Sequence, residues 1–172
     1  LTENVIGNPG ETFEMALETL EVNMKLKPHI ANASIFSPYP GLKMTKIAID
    51  GGYFDGNFDR LASNYYHGSA LQFDREKDKQ KILNLRCFFS LFTHQPWLMP
   101  VIKPLLGLPF NRPYQIMGDL IDGYYIKTGM AYKQSAKEFL TTVRHYLTNY
   151  RGPSGMSRSA SNKQADLQHK PR

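Results

Sequence analysis

The sequence predicts an α/β fold: strand, helix, strand and helix within residues 1–52, of the kind that builds part of a (β/α) barrel, then a mostly helical extension. Three observations carry this. Val5 and Ile6 are β-branched residues closing a short strand, and Gly7, Pro9 and Gly10 turn the chain toward a helix. Phe13, Leu17, Leu20 and Met24 then recur on one stripe, with Glu14, Glu18 and Glu21 off it, the spacing of a helix packed on a sheet. Two consecutive strands joined through such a helix run parallel, because a parallel connection needs a crossover of that length.

The elements follow in order. A strand ends at Ile6, and a helix runs over about 12–27, with Thr12 able to cap it and Pro28 to end it. A second strand is predicted over about 30–36 and a second helix over about 41–50. Residues 53–73 are aromatic and irregular (Tyr53, Phe54, Phe58, Tyr65, Tyr66, Phe73) and read as a lid-like or edge segment. Residues 74–150 read as helical: Ile82, Leu85, Phe89 and Phe92 form one stripe, and Ala136, Phe139, Val143, Leu147 and Tyr150 another. Between them residues 97–110 are apolar but punctuated by prolines. Two readings stand for this stretch: shallow insertion into a membrane interface with Lys103 snorkelling, and, preferred, a cover over the open side of the barrel.

Composition sets the class. With 172 residues, 41% hydrophobic and 21% charged, the chain can bury one core. It lacks the apolar run of ~18 residues that would span a bilayer. A single cysteine excludes a disulfide framework, and with no apolar leader a cytoplasmic location is expected. Of the net charge of +6, +4 lies after residue 150, where five basic side chains face only Asp166. That Ser/Gly/Asn/Gln-rich end, 151–172, reads as a disordered basic tail, and without interleaved aromatics it points to no nucleic acid.

Candidate chemistry is concentrated in the first loop. Bare backbone at Gly7, just past a strand and before a helix start, suits a polar or anionic ligand, and the same residues also make an ordinary tight βα turn. Glu11 can bond backbone N–H groups or a ligand hydroxyl, and pairing with the helix dipole explains it equally. Tyr39 reads mainly as core packing, and Cys87, inside Leu-Arg-Cys-Phe-Phe, as a small buried hydrophobe. His29, His67, His94, His145 and His169 are scattered, with no i, i+3 or i+4 pair, and read mostly as surface or capping residues. No Ser-His-Asp set, paired carboxylates or phosphate loop stands out.

The segment Ile-Gly-Asn-Pro-Gly-Glu-Thr at 6–12 resembles the I-G-L-P-G-E-T stretch of radical S-adenosylmethionine (SAM) enzymes, especially the branch with an N-terminal cobalamin-binding domain. Ala-Asn-Ala-Ser-Ile-Phe-Ser-Pro-Tyr-Pro-Gly at 31–41 resembles that family's next strand and its P-Y-P-G-T loop, and Ile-Ala-Ile-Asp-Gly-Gly-Tyr at 47–53 the helix end that follows. The likeness covers residues 1–55 well and extends weakly through Leu-Gly-Leu-Pro-Phe-Asn-Arg at 106–112. Asn8 stands where the family usually has Leu, and Leu42 where it has Thr.

The resemblance implies the last β/α units of a partial TIM-like barrel (1–52), a helical C-terminal extension shaping the substrate cavity (53–150) and the tail. It implies an adenosyl pocket lined by Ile6, Gly7 and Asn8 beside Phe36 and Ser37, with Glu11 counted among the cofactor-binding residues. It implies SAM and a [4Fe–4S] cluster as cofactors of the intact protein, cobalamin in the methyl-transferring branch, and a small-molecule substrate that is lipid-like or tetrapyrrole-like. The Cys-x3-Cys-x2-Cys cluster motif is absent, and Cys87 alone cannot hold such a cluster. The chain starts inside the motif unit, so it is expected to be the C-terminal portion of a longer enzyme, inactive alone, with the N-terminal remainder as its partner. No residue is assigned to catalysis or to a metal. The alternative is a noncatalytic interaction or accessory domain derived from half a barrel.

Overall fold

β1 (Thr2–Ile6) and β2 (Ala31–Ile35) pair in parallel, with Thr2 opposite Ala31 and Ile6 opposite Ile35. They form the two-stranded sheet of a mixed α/β chain. The computed structural model describes residues 1–58, 61, 68–109, 112–129, 135, 138, 140, 141 and 144, in two compact units, Leu1–Tyr132 and Lys133–Arg172. In the first unit the strands are joined by α1 (Phe13–Leu26) and followed by α2 (Lys43–Asp50), α3 (Glu76–His94), the short α4 (Met99–Ile102) and α5 (Arg112–Gly129). Single 3-10 turns, Pro96–Leu98 and Lys103–Gly107, flank α4.

α1 is delimited as its sequence dictates. The Thr12 side chain accepts from the Met15 N–H at 3.3 Å, and Lys27 adopts the left-handed conformation (φ 48°) immediately before Pro28. α2 starts at Lys43, later than the pattern suggests, because Gly41 sits at φ +84° and cannot open a helix there.

One face of the sheet carries the main core. Ile6, Ala31, Ala33 and Ile35 pack with Phe13, Ala16 and Leu20 of α1 and with the predicted stripe Ile82, Leu85, Phe89 and Phe92 of α3. The small side chains at 31 and 33 let α3 lie close to β2. α3, the first helix of the predicted extension, therefore shares a core with the strands. On the opposite face Glu3 and Val5 are exposed, and Asn32 donates to Glu3 Oε2 at 3.0 Å.

Three expectations are corrected here. The aromatic segment after residue 52 forms no sheet edge among its described residues: Phe54 and Leu71 join Phe36 and Ala48 in a second cluster, flanked by Tyr53, Phe58 and Phe73. The Tyr53 and Phe54 N–H groups both donate to the Ala48 carbonyl (2.8 and 3.0 Å), folding the segment back against the end of α2. Tyr39 is exposed rather than packed in a core.

The proline-punctuated stretch does not cover the open sheet face. It packs on α3 through Leu106, Met99 and Ile102, and Asn84 of α3 pins it by donating to the Leu106 and Leu108 carbonyls (2.8 and 2.7 Å). Prolines at 96, 100 and 104 break it into short turns that follow α3.

In the second unit Ser135 and Glu138 cap a turn reciprocally: the Glu138 carboxylate accepts from the Ser135 N–H (2.8 Å), and Ser135 Oγ accepts from the Glu138 N–H (3.3 Å). The predicted stripe Ala136, Phe139, Val143, Leu147 and Tyr150, the tail 151–172, and Tyr65, Tyr66, His67, His145 and His169 lie outside the described residues. No helix among the described residues is long and apolar enough to cross a membrane.

Candidate functional site

The carboxyl ends of the two parallel strands bring the predicted loops side by side. Ile6 pairs with Ile35, and the Phe36 N–H donates to the Ile6 carbonyl at 2.9 Å, so the segment Ile6, Gly7, Asn8 runs beside Phe36 and Ser37. In parallel α/β sheets this end is where loops can gather around a ligand.

The first loop is built around glycines and one carboxylate. Gly7 and Gly10 hold φ of +76° and +75°, which residues with a β-carbon adopt only under strain. Directly after Gly10, Glu11 is buried and turns back on the loop: its Oε2 accepts from the Asn8 N–H at 2.8 Å and from Asn8 Nδ2 at 2.7 Å. Asn8 Nδ2 also reaches the Val5 carbonyl at 3.2 Å, and the Glu11 N–H donates to the Asn8 carbonyl at 3.0 Å. Glu11 thus does bond a backbone N–H, that of its own loop. At the exposed start of α1, Glu14 is held below the usual carboxylate range by its backbone hydrogen bond, with Thr12 adding to the effect.

The six predicted site residues do not surround one open cavity. Ile6 and Gly7 are buried, and a β-carbon at Gly7 would touch Ile35, Ile82 and Phe73 at 3.6–3.7 Å, so apolar side chains occupy the space beside that backbone. Phe36 belongs to the second cluster, and Ser37 is half-buried. Asn8 and Glu11 instead border an open groove of about 520 Å³ that continues along α1 past Met15, Thr19 and Val22 to Met44 of α2. Glu11 also borders a smaller pocket of about 160 Å³ with Asp74, Arg75 and Asp78.

A buried polar cluster escaped the sequence reading. On the outer edge of β2, the Ala31 carbonyl accepts from Ser90 Oγ (2.5 Å) and the Ala33 carbonyl from Arg86 Nε (3.4 Å). Arg86, 2% exposed, is paired with Asp122 of α5 at 2.9 Å and lies 3.5 Å from Asp119, while Ser90 Oγ also reaches Asp122 at 2.9 Å. Burial pushes the Asp122 carboxyl above the usual range, against the pull of Arg86. The signal was present as a charge between Leu85 and Cys87 in an otherwise apolar run. A second polar link joins α1 to β1: buried Asn23 accepts from Thr2 Oγ1 (2.6 Å) and donates to Asn4 Oδ1 (2.9 Å). Its signal was an Asn beside the apolar stripe of α1.

Cys87 is buried and free, and burial raises its thiol to about 11. Among the described residues no three of His, Cys, Asp and Glu group together as a metal site. His94, half-buried at the end of α3, stacks on Tyr125 with ring centroids 4.1 Å apart, and its Nδ1 lies 2.7 Å from the Ser90 carbonyl; His29 is exposed. No family model matches the chain, and no curated protein or solved structure matches it significantly.

Proposed function

We propose that this chain is the C-terminal part of a radical SAM enzyme of the cobalamin-associated branch, with β1 and β2 as the last strands of a partial TIM-like barrel. The three motif likenesses support this reading. The observation that carries it is the asymmetry of the two sheet edges. The β2 edge is occupied by Ser90 and Arg86, as suits a terminal strand. Along β1, Thr2, Asn4 and Ile6 face β2, so Glu3 and Val5 turn their backbone groups outward, and no third strand pairs there among the described residues. That edge is free to continue a parallel sheet.

In such an enzyme SAM and a reduced cluster supply a 5′-deoxyadenosyl radical that abstracts hydrogen from an unactivated carbon. The residues present do not fit the cluster, since one buried cysteine cannot replace three thiolates, and no step of this chain runs through it. For the adenosyl group the chain offers one wall. Ile6, Gly7 and Asn8 beside Phe36 and Ser37 would supply backbone and apolar surface, and Glu11 would hold the Asn8 loop in shape. Phe73 and Ile82 would have to yield where they now cover Gly7. A lipid-like or tetrapyrrole-like substrate, the methyl-transfer or cyclisation outcome and a cytoplasmic location belong to the same proposal.

The apolar filling beside Gly7 favours a second reading, a noncatalytic accessory domain that keeps half a barrel. Expressing the chain together with the polypeptide encoded immediately upstream separates the two. After anaerobic reconstitution with iron and sulfide, the pair should form 5′-deoxyadenosine from SAM, and this chain alone should bind no cluster. An upstream polypeptide without closely spaced cysteines, or a stable pair that leaves SAM intact, would favour the accessory domain.

A further inference from the structure

The stretch 96–108 is apolar on both sides. Its inward residues, Leu106, Met99 and Ile102, pack on α3, while Trp97 is 70% exposed, Val101 68%, Leu105 45% and Leu108 46%. These four recur at intervals of four, four and three residues, so the turns carry an outward apolar row besides the inward one. A surface helix normally turns a polar face to water, and an exposed apolar patch of this kind marks an interaction site.

We propose that this row is a membrane-docking face, and that its occupant is the interfacial region of an anionic lipid bilayer. Charge selects the occupant. From 96 to 112 the sequence carries no acidic residue, and its two basic side chains, Lys103 and Arg112, are both exposed. The only charged side chain within 96–108 is Lys103, exposed on a long aliphatic stem able to keep its ammonium among headgroups while the neighbouring row sinks.

Side-chain type points the same way. Tryptophan partitions to the level of the headgroups, and the Trp97 indole N–H is already satisfied by Gln95 Oε1 at 2.8 Å, so the ring enters without an unpaired donor. Pro100 and Pro104 likewise remove two backbone donors from the surface that would leave water. The depth is shallow, because α3 holds the other side of the same turns. The inference stands whether or not the chain completes a larger enzyme.

Trp97 is the chain's single tryptophan, so its fluorescence reports this face alone. The experiment adds phosphatidylcholine vesicles, with and without phosphatidylglycerol, to the 172-residue chain. The expected result is a blue shift of emission, quenching by a spin label carried near the lipid headgroups, and tighter binding with phosphatidylglycerol. Val101→Asp and Leu105→Asp, both at exposed positions, should weaken binding roughly tenfold or more while leaving the far-ultraviolet circular dichroism unchanged. Lys103→Glu should abolish the preference for phosphatidylglycerol. Unchanged emission with both vesicles, or equal binding by the folded aspartate variants, would overturn the proposal. So would a blue shift that follows protein concentration without lipid, which identifies a protein-docking face instead.

Discussion

Gly7, Asn8, Glu11 and Cys87 show how single residues hold the chain's most informative segment and its core. Gly7 is at φ +76° with Ile35, Ile82 and Phe73 around it, so Gly7→Val disturbs the fold before it reaches any ligand. A loss of about 1–2 kcal/mol or more is expected in urea unfolding, and a variant as stable as the parent would show that the loop tolerates a side chain. Asn8 is replaced by Leu in the family it resembles, yet here its Nδ2 bonds Glu11 and the Val5 carbonyl. Asn8→Leu keeps the backbone bond to Glu11 and should cost about 1 kcal/mol, where the resemblance alone predicts almost none.

For Cys87 the folded thiol lies at about 11, above its reference of 9.0, so between these values the unfolded chain releases its proton first. The folded state then holds more protons, and its stability from this group falls as pH rises from about 9 to about 11. Denaturant melts of parent and Cys87→Ala across that range test it: only the parent should lose this increment. At neutral pH the thiol should react with a labelling reagent only as fast as the chain unfolds.

At the scale of elements, the sequence disclosed what periodicity and punctuation can disclose. The stripe 13, 17, 20, 24 with Thr12 and Pro28 located α1, and the stripe 82, 85, 89, 92 located the buried side of α3. Neither pattern told what α3 packs against, because an apolar stripe does not name its partner. That information lay in the alanines at 31 and 33 and in the polar residues Arg86 and Ser90, which match β2 only once the chain is folded. The open groove beside Glu11 was equally illegible, since it arises between α1 and Met44 of α2. Two substitutions test these contacts. Ser90→Ala should leave the buried Ala31 carbonyl without its donor and cost about 1–3 kcal/mol, with hydrogen exchange quickened along β2. Asn23→Ala should cost a similar amount and loosen β1 instead, because Asn23 bonds Thr2 and Asn4. Equal exchange at both strands in both variants would show that the polar links do not act separately.

For the whole molecule, the central claim is that β1 presents a free edge to a preceding strand while β2 ends the sheet. The α1–β2–α3 core is closed, and among the described residues the outer edge of β1 and the face bearing Glu3 and Val5 are what remain unpartnered. Self-association of the isolated chain should therefore run through β1. Hydrogen exchange of the Glu3 and Val5 amides, measured for the chain alone and with the upstream polypeptide bound, tests this most directly. The account predicts fast exchange alone and strong protection in the pair, with the amides of β2 unchanged; protection that appears at β2, or at neither strand, would contradict it.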